Sequence, residues 1–206
     1  MLRAWHAKPL HEALNESGAT PVRFVAACDL PDSEAYERFI FRTCTCPTRE
    51  NAHDFFNGLA WMKYPGVKSR LNELQADEIA RSGIGAQRGP VRDAITVFDE
   101  NGAFLEAPPA IHDALRKRDW HRLFIDLRPL WNEARVTIFG HAMLEKLLAP
   151  RKDLTAHVWA GPHEFTRKAL ADKPFAPLPV MGIPGWQRES ESFSFYDDPL
   201  VFRPRR

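Results

Sequence analysis

A strand-like run passes directly into a helix-like run in the second half of the chain. Residues 135–139 read Arg-Val-Thr-Ile-Phe, which is rich in β-branched side chains, and Gly140 separates them from a helical pattern over residues 141–149. Another strand is predicted over residues 22–28, and a helix over residues 32–41 follows it. Strands that alternate with helices predict an α/β or α+β fold with a small central sheet.

Other local patterns predict further elements. Asn51 is a typical N-cap, and Pro65 ends the following helix at Tyr64. The pair Asn101-Gly102 favours a tight turn and predicts a hairpin over residues 93–105. Additional helices are predicted over residues 67–74, 108–118 and 162–171, additional strands over 122–127 and 155–160, and a glycine-rich break over 82–85.

The C-terminal segment combines prolines with apolar side chains. Six prolines after Lys173 predict an irregular tail over residues 173–206, and its phenylalanine, leucine and valine content predicts that the tail packs on the core. The chain has 206 residues, 44% of them hydrophobic and 27% charged, which fits a single mixed domain over residues 1–206.

Composition limits the classes of partner. With 28 Lys and Arg against 27 Asp and Glu, the formal net charge is +1, which argues against nucleic acid or an anionic membrane as the partner. No apolar run approaches the roughly 20 residues of a membrane-spanning helix, and three cysteines do not form a disulfide framework. We therefore expect a soluble cytoplasmic protein. Cys44 and Cys46 are either two zinc ligands or small side chains packed on one face.

Two predicted helices each begin with a histidine that is followed four residues later by another polar side chain. These pairs are His53 with Asn57, and His141 with Glu145. At about 3.6 residues per turn, the members of each pair share a helix face. Histidine serves as a general base or metal ligand, glutamate can orient it or bind the same metal, and asparagine can orient a substrate. Each pair also fits a purely structural hydrogen bond.

Aspartates extend the candidate site. Asp54 follows His53 and either completes a metal site or favours the start of its helix electrostatically. Asp198, within the pair Asp197-Asp198, either closes a cation site or caps a turn before Pro199. The working hypothesis is a metal-assisted or acid/base hydrolase-type enzyme that acts on an unspecified small molecule. Its candidate cofactor is a divalent metal ion bound by His53, Asp54, His141 and Asp198, and its candidate catalytic residues are His53, His141, Glu145 and Asn57.

The alternative is a non-catalytic binding or scaffold protein. Residues 116–122 interleave basic side chains with Trp120, a pattern found in proteins that bind single-stranded nucleic acid. A solvated basic helix face explains the same residues. Nucleotide-binding glycine motifs and the Gly-x-Ser-x-Gly motif of serine hydrolases are absent from the sequence. The oligomeric state is left open.

Ordered strings across most of the chain resemble a bacterial family known only as domain of unknown function 3025. The strings are Pro-Thr-Arg-Glu-Asn-Ala-His-Asp-Phe-Phe-Asn at 47–57, Arg-Gly-Pro-Val-Arg-Asp-Ala at 88–94, Phe-Asp-Glu-Asn-Gly at 98–102, Phe-Gly-His-Ala-Met-Leu-Glu-Lys at 139–146, Pro-Val-Met-Gly-Ile-Pro-Gly-Trp at 179–186 and Phe-Tyr-Asp-Asp-Pro at 195–199. The resemblance implies no activity, cofactor or catalytic residue.

Overall fold

A computed structural model describes residues 8–83 and 89–205. Met1–Ala7, Arg206 and part of the predicted glycine-rich break, Ile84 and Gly85, lie outside the described residues. The α-helices are α1 (Leu10–Ser17), α2 (Tyr36–Thr43), α3 (Ala52–Lys63), α4 (Pro65–Ser82), α5 (Pro90–Asn101), α6 (Pro109–Lys117), α7 (His141–Lys146) and α8 (Arg167–Ala171). The strands are β1 (Arg23–Ala26), β2 (Thr45–Thr48), β3 (Gly102–Glu106), β4 (Arg135–Ile138), β5 (Thr155–Trp159) and β6 (Phe175–Pro179). These elements confirm the mixed α/β class.

The chain divides into two compact units. The first comprises Met1–Asp99 and Pro162–Lys173, and the second comprises Glu100–Gly161 and Pro174–Arg206. The expectation of a single domain stays a prediction.

The first unit contains a two-stranded parallel sheet, in which Phe24 of β1 is opposite Cys46 of β2. A cluster of buried apolar side chains packs beside it: Leu10, Leu14, Val22, Phe24, Ile40, Cys46 and Trp61. Gly58 of α3 allows close packing with α1, since a Cβ there would lie 2.6 Å from Leu14 Cδ1. The N-terminal part of α3 is therefore held against this core.

The second unit contains a four-stranded mixed sheet in the order β4-β3-β5-β6. The β3 strand is antiparallel to β4 and parallel to β5, and β5 is antiparallel to β6. The core of this unit includes stacked rings of Phe124, Trp131 and Tyr196. The predicted strand-to-helix junction is confirmed, because β4 ends at Ile138 and α7 begins at His141.

The predicted hairpin over residues 93–105 is wrong. That region is the helix α5, and strand β3 begins only at Gly102. Val91, Ala94, Ile95 and Phe98 are buried along α5 at the spacing of one helix face. This longer periodicity outweighs the turn preference of the pair Asn-Gly, which marks the helix end.

Two other predicted elements also differ. Residues 122–127 do not form a strand, because Arg122–Asp126 is a π-helical turn with buried Leu123 and Phe124, and a short apolar run does not distinguish these structures. The helix predicted over 162–171 begins only after Thr166, whose side chain accepts a hydrogen bond from the Ala169 amide at 3.1 Å.

The tail after Lys173 is not wholly irregular. Its first part forms β6, which lies at the edge of the described sheet next to β5, a position that tolerates Pro177 and Pro179. Short 3₁₀ turns follow, and Phe195, Tyr196 and Phe202 pack into the core of the second unit, as predicted for the tail. Within residues 8–83 and 89–205, no helix combines the length and hydropathy needed to span a bilayer.

Candidate functional site

The first turn of α3 is built around Asp54. Asn51 caps the helix, since its Oδ1 accepts a hydrogen bond from the Asp54 amide at 2.8 Å. The buried Asp54 carboxylate accepts bonds from Arg49, at 2.7 Å from its amide, 3.1 Å from Nε and 2.9 Å from a terminal guanidinium nitrogen. Asp54, predicted as a metal ligand, is therefore engaged by Arg49. His53 lies beside it and is half-buried.

His141 is the first residue of α7 and is 4% exposed. Its Nε2 lies 3.6 Å from Oε1 of Glu100, which belongs to the last turn of α5. Gly140 makes this approach feasible, because a Cβ there would lie 2.5 Å from backbone atoms of residues 100–102. The amides of Phe139 and Gly140 also donate to the carbonyl of Gly102. The junction between β4 and α7 is thus fixed against the end of α5.

Glu100 and His141, both in the second unit, are potential metal ligands. An imidazole nitrogen and a carboxylate oxygen 3.6 Å apart are compatible with binding of one metal ion. His53 lies in the first unit, and its role as a ligand stays a prediction. Sequence reasoning missed Glu100, because the predicted hairpin placed it in a turn.

A buried polar network in the first unit connects α2, α3, α4 and α5. The Nζ of Lys68 donates to Oδ1 of Asn57 at 2.8 Å and to the two carboxylate oxygens of Asp99 at 2.7 and 2.9 Å. Asn57 Nδ2 donates to the Tyr36 hydroxyl at 3.2 Å, and that hydroxyl lies 3.2 Å from Cys46 Sγ. Lys68 also lies over the ring of Trp61, 5.2 Å from its centroid.

The network keeps two of its groups protonated. Burial raises the pKa of the Cys46 thiol to about 11. The hydrogen bond with Tyr36 and the charge of Lys68 make this rise smaller. Burial and the neighbouring Cys46 raise the pKa of Tyr36 well above its usual value. Neither group is therefore an ionised nucleophile at neutral pH. Cys44 is exposed, so the two thiols do not pack on one face as one interpretation expected.

Comparison with known families decides the affiliation of the chain. A family model described as protein of unknown function (DUF3025) matches residues 22–169 and 163–206. The chain belongs to the DUF3025 family. No curated protein and no solved structure matches it.

In this DUF3025 protein, the other predicted site residues have different surroundings. Asn57 is buried and its amide bonds within the Lys68 network, although sequence reasoning placed it on a polar surface. Glu145 is half-buried on α7, one turn after His141. Asp198 lies 3.1 Å from Lys152 and accepts from the Leu200 amide, and these contacts lower its pKa.

The basic segment of the DUF3025 chain does not present an aromatic surface. Trp120 is 8% exposed, stacks on Phe124 and donates to the carbonyl of Arg203 at 2.7 Å. Lys117 is paired with Asp113 at 2.9 Å. Because the indole is committed to the core, stacking on nucleobases is not supported, and the solvated basic face explains this segment better.

Proposed function

We propose that Glu100 and His141 bind one divalent metal ion and that this protein is a metal-assisted hydrolase-type enzyme. The observation that carries the proposal is the approach of His141 Nε2 to Glu100 Oε1, at 3.6 Å within the second unit. Imidazole and carboxylate groups are ligands of catalytic zinc sites, in which one position is left for water or substrate. Zinc is therefore the first ion to test.

The distance between these two ligands agrees with this assignment. Ligands placed about 2.1 Å from a tetrahedral ion lie about 3.4 Å from one another. The separation between His141 Nε2 and Glu100 Oε1 is 3.6 Å, close to that spacing. Burial of His141 restricts its ring and supports a preformed arrangement.

The ligand set indicates a class of reaction. A zinc ion in a catalytic site lowers the pKa of a bound water molecule to about 7 and polarises a carbonyl or phosphoryl oxygen. Glu145, one turn after His141, is the proposed proton acceptor, in keeping with its half-buried carboxylate. Hydrolysis of a small ester, amide or phosphate compound is the reaction class that these groups serve.

Lys68 is the proposed positioning residue for one of the ligands. It binds Asn57 on α3 and Asp99, which directly precedes Glu100 on α5. A buried ammonium group with both partners at hydrogen-bond distance restricts the backbone position of the turn that carries Glu100. Asn57 thus has a supporting role here rather than contact with substrate.

Metal binding tests the proposal directly. The purified chain is stripped with chelator and titrated with Zn²⁺ and Co²⁺ by calorimetry, and we expect one equivalent to bind. Glu100→Gln and His141→Ala should each weaken binding by more than about 100-fold, since removal of a ligand exceeds the usual loss of a supporting contact. His121→Ala is the matched control, because His121 is exposed and paired with Asp126 at 3.4 Å.

Two results would overturn the proposal. One is a wild-type chain that binds neither ion in stoichiometric amount. The other is a Glu100→Gln chain that binds as tightly as the His121→Ala control. Hydrolysis of ester and phosphate monoester substrates is then compared before and after metal reloading, and activity that is unaffected by removal of the metal would contradict the metal-assisted reaction.

A further inference from the structure

Arg92 in the first turn of α5 is a buried arginine that has no counter-ion among the residues the structure describes. Only 6% of the residue is exposed. Its Nε is inaccessible to solvent and makes no hydrogen bond, and within residues 8–83 and 89–205 no carboxylate pairs with its guanidinium group. Arginine is almost never this deeply buried unless it is paired. This side chain therefore requires an explanation beyond packing.

Two acidic residues of the first unit are already paired with other cations. One is adjacent to Arg92 in sequence, and the other is buried. Asp93 accepts from Lys173, and the buried Glu78 accepts from Arg167. Two arginines of the first unit that are more exposed also have acceptors, Arg49 on Asp54 and Arg70 on the Phe165 carbonyl. Arg92 thus differs from these arginines because no described residue accepts a hydrogen bond from its Nε, although burial makes an acceptor more important for it.

The position of Arg92 in its helix gives a second reason to expect negative charge beside its side chain. The helix α5 has 12 residues, and Arg92 is the third of them. Helical side chains lean toward the N-terminus, so we expect the guanidinium to lie near the end where α5 has its first amides. Val91 and Arg92 supply these amides, since Pro90 has none. The helix dipole favours negative charge at the same end.

We propose that Arg92 and the first turn of α5 bind an oxyanion, the phosphate or carboxylate group of a small molecule. The planar guanidinium donates two parallel hydrogen bonds to such a group, and the α5 amides contribute further donors. Binding neutralises a buried charge, so the anion should also stabilise the fold. This site is independent of the proposed metal ion and uses none of its ligands.

Thermal unfolding of the full chain tests the site at constant ionic strength, with added inorganic phosphate, acetate or chloride. Wild-type protein should melt at a higher temperature in phosphate or acetate than in chloride. The anion that gives the larger rise in melting temperature identifies the class of ligand. Arg92→Met should lose this shift. Without phosphate or acetate, Arg92→Met should melt at or above the wild-type temperature, because an apolar side chain removes the unpaired buried charge.

The matched control is Arg70→Met, which removes an arginine that is 41% exposed and paired with Glu73. This variant should keep the wild-type response to phosphate. Arg92→Lys gives an independent measurement if the methionine variant does not fold. Lysine retains the charge without the planar fork, and its phosphate affinity by calorimetry should be about tenfold weaker than that of the wild type.

Three outcomes would overturn the proposal. Wild-type melting temperatures that are equal in phosphate, acetate and chloride would show that only ionic strength matters. An equal phosphate shift in Arg92→Met and wild type would place any bound anion elsewhere. Undiminished phosphate affinity in Arg92→Lys would remove the role of the guanidinium geometry.

Discussion

The ammonium nitrogen of Lys68 lies 2.7 and 2.9 Å from the two carboxylate oxygens of Asp99. The side chain of Lys68 is only 6% exposed. Asp99 is 25% exposed, so the pair is screened from water mainly on the lysine side. Buried ion pairs of this kind contribute more to a defined geometry than to net stability, but loss of one partner leaves a buried charge uncompensated. Lys68 consequently fixes how α4 meets the end of α5.

Lys68→Met should destabilise the protein by about 3 kcal/mol, because it removes the counter-ion of Asp99 and a hydrogen bond to buried Asn57. Urea unfolding measures the free energy of unfolding. Arg70→Met on the same helix is the control, and its exposed pair with Glu73 should contribute less than about 1 kcal/mol. Equal free energies of unfolding for the two variants would show that the buried pair of Lys68 and Asp99 stabilises the protein no more than an exposed pair does.

Gly140→Ala should destabilise the second unit by about 3 kcal/mol, because the added Cβ would lie 2.5 Å from the backbone atoms Glu100 O, Asn101 N and Gly102 N. Backbone cannot move aside as a flexible side chain would. The substitution should also displace His141 from Glu100 and weaken Co²⁺ binding. Gly66→Ala is the control, since a Cβ there meets nothing within 4 Å. A Gly140→Ala chain as stable as this control would contradict the close approach.

Cys46 should resist alkylation in the native protein. With a pKa of about 11, about one thiol in a thousand is ionised at pH 8, and the side chain is buried. Cys28 and Cys44 are exposed and should be modified by iodoacetamide first. Tandem mass spectrometry of tryptic peptides over time distinguishes the three, since fragmentation separates Cys44 from Cys46 within the peptide of residues 43–49. The label should enter Cys46 only when urea unfolds the chain. Comparable native rates at all three would refute the buried assignment.

Local signals in the sequence were sufficient for part of the fold and of the candidate site. Asn51 acts within its own helix turn, and the junction at Gly140 follows from adjacent residues, so the openings at His53 and His141 could be located. Glu100 could not be located, because the pair Asn101-Gly102 favours a turn and so predicts a hairpin where the preceding residues have helical periodicity.

The Lys68 network depends on contacts distant in sequence. A lysine on a helix normally indicates a solvated position, and nothing local predicts that Lys68 is buried. Its partners are 11 and 31 residues away, on two different helices. Asn57 illustrates the same limit, since the helical wheel placed it correctly beside His53 but could not show that Lys68 and Tyr36 cover it.

His157 on β5 should make stability depend on pH. Partial burial, with a smaller effect of Lys146, lowers the pKa of His157 below its ordinary value of about 6.5. Below that value the unfolded chain binds more protons at this position than the folded chain, so protonation favours unfolding. The contribution of His157 to stability is fully present above pH 6.5 and is lost as the pH falls toward the lowered pKa.

Urea unfolding between pH 7.5 and pH 5 should therefore show a smaller decline in the free energy of unfolding for His157→Gln than for wild type. Lys146→Met should lie between them, because it removes only the second cause. A His157→Gln profile that overlays the wild-type profile would exclude His157 as a source of the decline.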